Sequence, residues 1–296
     1  MGNNKKVRLI EKRFDGKKLC VVTSVNGQNN IVVDSRSKRP IGVDKGQEIV
    51  YIQEINRIEF GKSDNVISYY APNNVGILLS IANKALINGK NIYEEKINPN
   101  KYRHSDGIGV NTFKQLSENT SIIYEYIEDI QTSIVFGYTA IEAFTNLSIN
   151  EDYQYKNIIS NKGIIEIYDK KAIERWLSLD VKISDILVDI YQCESIKRGE
   201  MWNKFKKFEK CRNEIVHQKS IEINSLYEEY FNEEIFELCN VPEKVIKFFF
   251  EKGENKGINN VLWPFVINTP NEINVFQDYN NKESWEFVKK LGDDLK

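Results

Sequence analysis

Histidine is nearly absent from this sequence: of 296 residues, only His104 and His217 carry an imidazole. A metal site built from several histidines is thereby excluded, and any histidine catalysis must use one of these two. Cysteine is equally sparse. Cys20, Cys193, Cys211 and Cys239 are scattered and form no C-x-x-C pair, which argues against a disulfide framework and against a zinc site. No apolar run is long enough for a membrane span, and the stretch from Met1 to Arg13 is polar and basic, unlike a signal peptide. The expectation is a cytoplasmic protein with no membrane association. Net charge is only −2 and the pI about 6.0, so binding to nucleic acid would need a local cluster of Lys and Arg.

Several common sites are missing as well. Gly61-Lys62-Ser63 looks like the end of a phosphate loop, but Asn56 stands where the first glycine belongs. Gly107-x-Gly109 follows no strand and opens no helix, and no Gly-x-Ser-x-Gly elbow occurs. No cofactor and no metal are expected. His104 sits in the polar stretch Tyr102 to Asp106 and reads as a solvated loop residue.

What is present divides into three parts. Short β-branched runs at 7–10, 19–23, 30–33 and 48–52, with turn signals at Asp15-Gly16 and Asn26-Gly27, predict a small antiparallel sheet within residues 1–72. Residues 73–256 read as a helical bundle. A short amphipathic helix from Asn74 to Ile87 ends at the Asn88-Gly89 stop signal, and 91–109 is mostly loop. From about Glu118, Ile123, Ile127, Ile130, Ile134, Tyr138, Ile141 and Phe144 form one stripe of a long helix. Further helices are expected at 170–179, 184–193, 200–219 and 224–238. A last one opens at Pro242 with Asn240 as its cap. Residues 257–296 form a tail expected to pack on the bundle. The fold class is α+β, mainly α.

The 200–219 helix carries an anomaly. At about 100° per residue with Phe205 as origin, Met201 falls at roughly 320°, Phe208 at roughly 300°, Ile215 at roughly 280° and Val216 at roughly 20°. Arg212, at roughly 340°, stands in the middle of that apolar arc. A guanidinium keeps its charge, so near a core it needs a carboxylate, a phosphate or a wet groove. A buried ion pair with Glu209, or with Glu142 from the long helix, is one account; a functional anion site is the other. His217 falls at roughly 120° and Asn213 at roughly 80°, so on a straight helix Arg212 and His217 diverge. A bend in the helix, or a second protomer, would be needed to unite them. Lys204, Lys206, Lys207 and Lys210 supply a local positive field, and the last three are candidate RNA-binding residues.

Arg212-Asn213-Glu214-Ile215-Val216-His217 resembles the R-x4-6-H motif of the HEPN superfamily (higher eukaryotes and prokaryotes nucleotide-binding). The segment from Tyr138 to Asn146 is similar to the first helix of that family, with Glu142 and Asn146 as its polar pair. The resemblance covers about 118–252 and leaves the N-terminal part unexplained. It implies a HEPN-like helical bundle acting as a metal-independent RNase, and a homodimer whose motifs face each other. It also implies a toxin, abortive-infection or other defence setting, with an antitoxin or defence-system partner. The implied roles are catalytic for Arg212, His217 and Asn213, and supporting for Glu142 and Asn146. A toxin branch has a modifiable tyrosine two residues after the histidine; here that position is Lys219. A non-catalytic RNA-binding or dimerisation module is the alternative.

Overall fold

A computed structural model of the protein describes residues 34–38, 41–44, 49–61, 65–103, 112–159, 163–217 and 223–254, together with short strands between 7 and 24. The chain divides after Asn73 into two compact units. It is α+β and mainly helical, as its composition and patterning predict.

The first unit is an antiparallel sheet. Its strands are β1 (Val7–Ile10), β2 (Arg13–Phe14), β3 (Lys17–Lys18), β4 (Cys20–Ser24), β5 (Ile41–Asp44), β6 (Ile49–Phe60) and β7 (Val66–Tyr70). β2 and β3 pair with each other. The long strand β6 takes the other four as partners: β4 and β5 along its first half, β1 and β7 along its second. β6 is twelve residues long where the sequence pattern marked five, because polar residues from Gln53 to Glu59 interrupt the apolar run without interrupting the ladder. The strand expected at 30–33 and both turn signals lie outside the described residues.

The second unit opens with α1 (Asn74–Ile92), continued by one π-helical turn at Tyr93–Ile97. The expected stop at Asn88-Gly89 does not operate. Gly89 is buried inside the helix, and a Cβ there would stand 3.2 Å from Asp129 Cβ on the neighbouring helix. Glycine is used here for close approach and not as a cap. That neighbour is α2 (Thr112–Ser148), which begins six residues earlier than its apolar stripe indicates. Tyr126, Ile130, Ile134, Tyr138, Ile141 and Phe144 of α2 are all buried, and α1 packs along it.

A hairpin follows that periodicity did not reveal: β8 (Gln154–Ile159) pairs with β9 (Ile164–Asp169). Tyr155 and Tyr168 face inward, whereas Ile158, Ile165 and Ile167 face solvent. With apolar residues on both faces the alternation is blurred. Next come α3 (Lys170–Trp176), capped by the Asp169 carboxylate, and α4 (Leu179–Val181). A π-helical turn (Lys182–Ile186), α5 (Leu187–Ile190) and a 3-10 turn (Ile196–Arg198) lead into α6 (Glu200–Val216). The single helix expected at 224–238 is two, α7 (Ile223–Tyr230) and α8 (Glu234–Cys239). The final described helix is α9 (Val241–Glu254). Asn240 closes α8 by donating its side-chain amide to the Phe236 carbonyl at 2.8 Å, while its backbone carbonyl accepts from the Lys244 N–H at 3.3 Å at the start of α9. The expected tail, 257–296, lies outside the described residues.

α2, α6 and α9 meet closely at Gly137, where a Cβ would lie 2.7 Å from Pro242 Cγ and 3.3 Å from the Phe208 ring. Alanine would gain about 1 kcal/mol of helix propensity but meet an overpacking cost of about 1–3 kcal/mol. Gly137→Ala is therefore expected to lower the urea midpoint. Gly89→Ala, with its looser contact, is expected to change it less.

Candidate functional site

α6 is held by Phe205, Phe208 and Cys211, its fully buried side chains. Cys211, at roughly 240° on the wheel used above, shifts the centre of the buried arc away from Arg212. Arg212 is accordingly half-buried at the rim and not at the middle. Val216, counted in the arc by its type, is 48% exposed at the helix end.

The guanidinium lies over the ring of Tyr138 from α2, its central carbon 4.5 Å from the ring centroid. Its Nη1 donates to Asn213 Oδ1 at 3.0 Å. Neither expected ion pair forms. Glu209 accepts from the Tyr138 hydroxyl at 3.1 Å and from the Lys206 ammonium, and among the described residues no carboxylate comes within pairing distance of Arg212. Burial pushes the Tyr138 phenol well above its ordinary range, and the Glu209 carboxylate adds to the shift, so the hydroxyl is a committed donor.

The lysines of α6 are differently placed. Lys206 spans Asp180 (2.6 Å) and Glu209; Lys207 meets Glu234 at 3.0 Å; Lys210 meets Glu214 at 3.5 Å; Lys204 meets Glu200 at 2.8 Å. Burial pulls the Lys206 pKa down, but its two carboxylate partners outweigh it and the net shift is upward. The Glu234 hydrogen bond raises Lys207, and the field of Glu214 raises Lys210. Every lysine of this helix is thus engaged with a carboxylate, and among the described residues Arg212 is not.

α6 ends at Val216, and His217 is its C-cap, with non-helical backbone angles of φ −114° and ψ 43°. Its N–H still donates to the Asn213 carbonyl at 2.8 Å, while the imidazole is exposed and makes no hydrogen bond among the described residues. Asn213 therefore touches both ends of the motif, Arg212 through its side chain and His217 through its backbone. The helix stops where the two side chains would otherwise diverge. His104 and Lys219 lie outside the described residues.

Glu142 and Asn146 follow Tyr138 at successive turns of α2. Glu142 is half-buried, and its charge reaches both Tyr138 and Lys182. Asn146 Oδ1 accepts from Lys182 Nζ at 3.0 Å, and the same ammonium donates to the Glu174 carbonyl at 3.0 Å. Asn146 is thus engaged with Lys182. Lys182 and Tyr138 are the polar residues here that sequence reading did not assign. The i, i+4, i+8 row of Tyr138, Glu142 and Asn146 was the available signal for Tyr138. Among the described residues no group of three His, Cys, Asp or Glu side chains could hold a metal ion, and no helix is long and apolar enough to cross a membrane. Comparison with protein-family models, with curated proteins and with solved structures finds no match.

Burial lowers the Lys182 pKa below 10.5, with Glu142 and Glu174 opposing the shift. Between the lowered folded value and 10.5 the unfolded chain holds a proton that the folded chain has released, so this group's contribution to stability rises with pH. The stability of wild type relative to Lys182→Met should therefore increase from neutral pH toward 10.5. Paired urea titrations measure it, and a pH-independent difference would contradict the assignment.

Proposed function

We propose that the protein is a metal-independent endoribonuclease whose phosphate-binding group is Arg212 and whose proton-transfer group is His217. The reading is carried by one observation: Arg212 is half-buried against Tyr138 with no carboxylate partner among the described residues, while each lysine of its helix has one. A guanidinium held by its face keeps the in-plane N–H groups that Asn213 does not take for a bidentate phosphate.

The reaction is transesterification. A ribose 2′-hydroxyl loses its proton to an imidazole and attacks the adjacent phosphorus; the P–O5′ bond breaks, and the 5′-oxygen leaves with a proton. The products are a 2′,3′-cyclic phosphate and a 5′-hydroxyl. Arg212 stabilises the charge gathered on the phosphorane-like transition state. Asn213 holds the guanidinium edge. The step needs an acid as well as a base, and His217 of a second protomer would supply the other proton transfer, which makes a homodimer part of the proposal. A role in a cytoplasmic prokaryotic defence or toxin-type system, with an antitoxin-like partner, belongs to the same proposal.

A second reading rests on His217 itself. Among the described residues its imidazole has no hydrogen bond to fix its orientation, as a non-catalytic RNA-binding or dimerisation module would allow.

Single-stranded RNA incubated in EDTA separates the two. Wild type is expected to yield cyclic-phosphate ends, His217→Ala to be slower by about 10²–10⁴-fold, and Arg212→Ala by about 10²–10³-fold. RNA binding that persists without cleavage would favour the module. Equal cleavage by wild type and His217→Ala would sink the enzyme assignment.

A further inference from the structure

Arg212 has no carboxylate partner among the described residues although Glu209 precedes it by one helical turn, a spacing at which the two side chains ordinarily meet. The Glu209 carboxylate is diverted. One oxygen accepts from the Tyr138 hydroxyl at 3.1 Å, and the other is taken by Lys206, itself tied to Asp180 of α4 at 2.6 Å. Tyr138 is 5% exposed, and its ring lies beside Phe208 with centroids 6.4 Å apart, so the core sets its position. The same ring carries the guanidinium on its face at 4.5 Å.

We propose that Tyr138 is a positioning residue for Arg212: its ring fixes the guanidinium from below, and its hydroxyl keeps Glu209 from occupying the phosphate-binding edge. The proposal deepens the ribonuclease reading and rests on Arg212 binding an anion. A carboxylate would hold an arginine more strongly than a ring does, but only by using the N–H groups that a phosphate requires. An aromatic face attracts the cation without consuming any donor.

Two substitutions separate the two contributions. Tyr138→Leu keeps an apolar side chain but removes the π face. Tyr138→Phe keeps the face but releases Glu209 to pair with Arg212. The probe is a fluorescein-labelled, fully 2′-O-methylated oligoribonucleotide, which cannot undergo transesterification, followed by anisotropy. Tyr138→Leu is expected to weaken binding about tenfold, on the scale of a cation–π contact, and to add nothing in an Arg212→Ala background. Tyr138→Phe should weaken binding about threefold, and Glu209→Gln should restore it, since a neutral amide no longer competes as an ion-pair partner.

An NMR measurement on the whole chain needs no RNA. The Arg212 Nε–H resonance, assigned by Arg212→Lys, should show a ring-current shift in wild type and Tyr138→Phe, lost in Tyr138→Leu. If wild type shows the shift but binds no oligonucleotide, the ribonuclease reading fails and the stacking role stands. If the shift is absent from wild type, or if Glu209→Gln does not rescue Tyr138→Phe, the positioning role is overturned. Should Tyr138→Leu fail to fold, the Phe and Gln variants decide the matter.

Discussion

Tyr138 belongs to the buried stripe of α2, and the place of Arg212 depends on that burial. Removing a large side chain of this kind from water contributes about 1.5–3 kcal/mol, against about 0.5–2 kcal/mol for a cation over its ring. The ring's position is therefore decided by the core, and the arginine adapts to the ring. The same stripe receives α1 on one side and meets α6 and α9 where Gly137 admits Pro242 and Phe208. Packing of the bundle and presentation of the guanidinium are consequences of one helix.

The polar groups around that helix show a division of labour set by distance from water. Lys182, 6% exposed, is satisfied by a side-chain amide and a backbone carbonyl, and a nearby carboxylate partly offsets its desolvation. Lys206 is more accessible and shares two carboxylates. Lys207 and Lys210 are exposed, and their pairs are of the kind worth about 0–1 kcal/mol. Such pairs exchange readily for other anions, so in the proposed function these lysines would add to a positive surface facing a polyanion. They do not position it.

Much of the helical part was legible because its signals are long. Seven apolar residues of α2 recur at helical spacing, and α6 and α9 show similar stripes. What was not legible depended on tertiary contact. Gly89 carries a stop signal locally, yet α2 passes close enough to need it inside a helix. The Asn240 side chain can cap in either direction, and the Phe236 carbonyl took it. The hairpin of β8 and β9 hid because isoleucines stand on its outer face. At the site, the wheel flagged Arg212 correctly as displaced from ordinary solvent, but it placed the arginine too deep by leaving Cys211 out of the arc. The partner of Arg212 could not be read at all. Two carboxylates were at suitable spacing, and the actual neighbour is an aromatic ring from a helix some seventy residues earlier, a choice settled by which side chains the core had already claimed.

The end of α6 decides how far one chain can go toward chemistry. A helix that continued through 219 would hold Arg212 and His217 on separate faces, with both rigid. Termination at Val216 gives His217 a backbone outside the helical region while a single N–H to the Asn213 carbonyl keeps it near the motif. The arginine is thus held by a buried ring and the histidine by one backbone hydrogen bond. Proton transfer requires an imidazole within hydrogen-bond reach of a reacting oxygen, and among the described residues no hydrogen bond orients that of His217. In the proposed enzyme the RNA or a second protomer would orient it, so a dimer would complete the proposed site as well as double it.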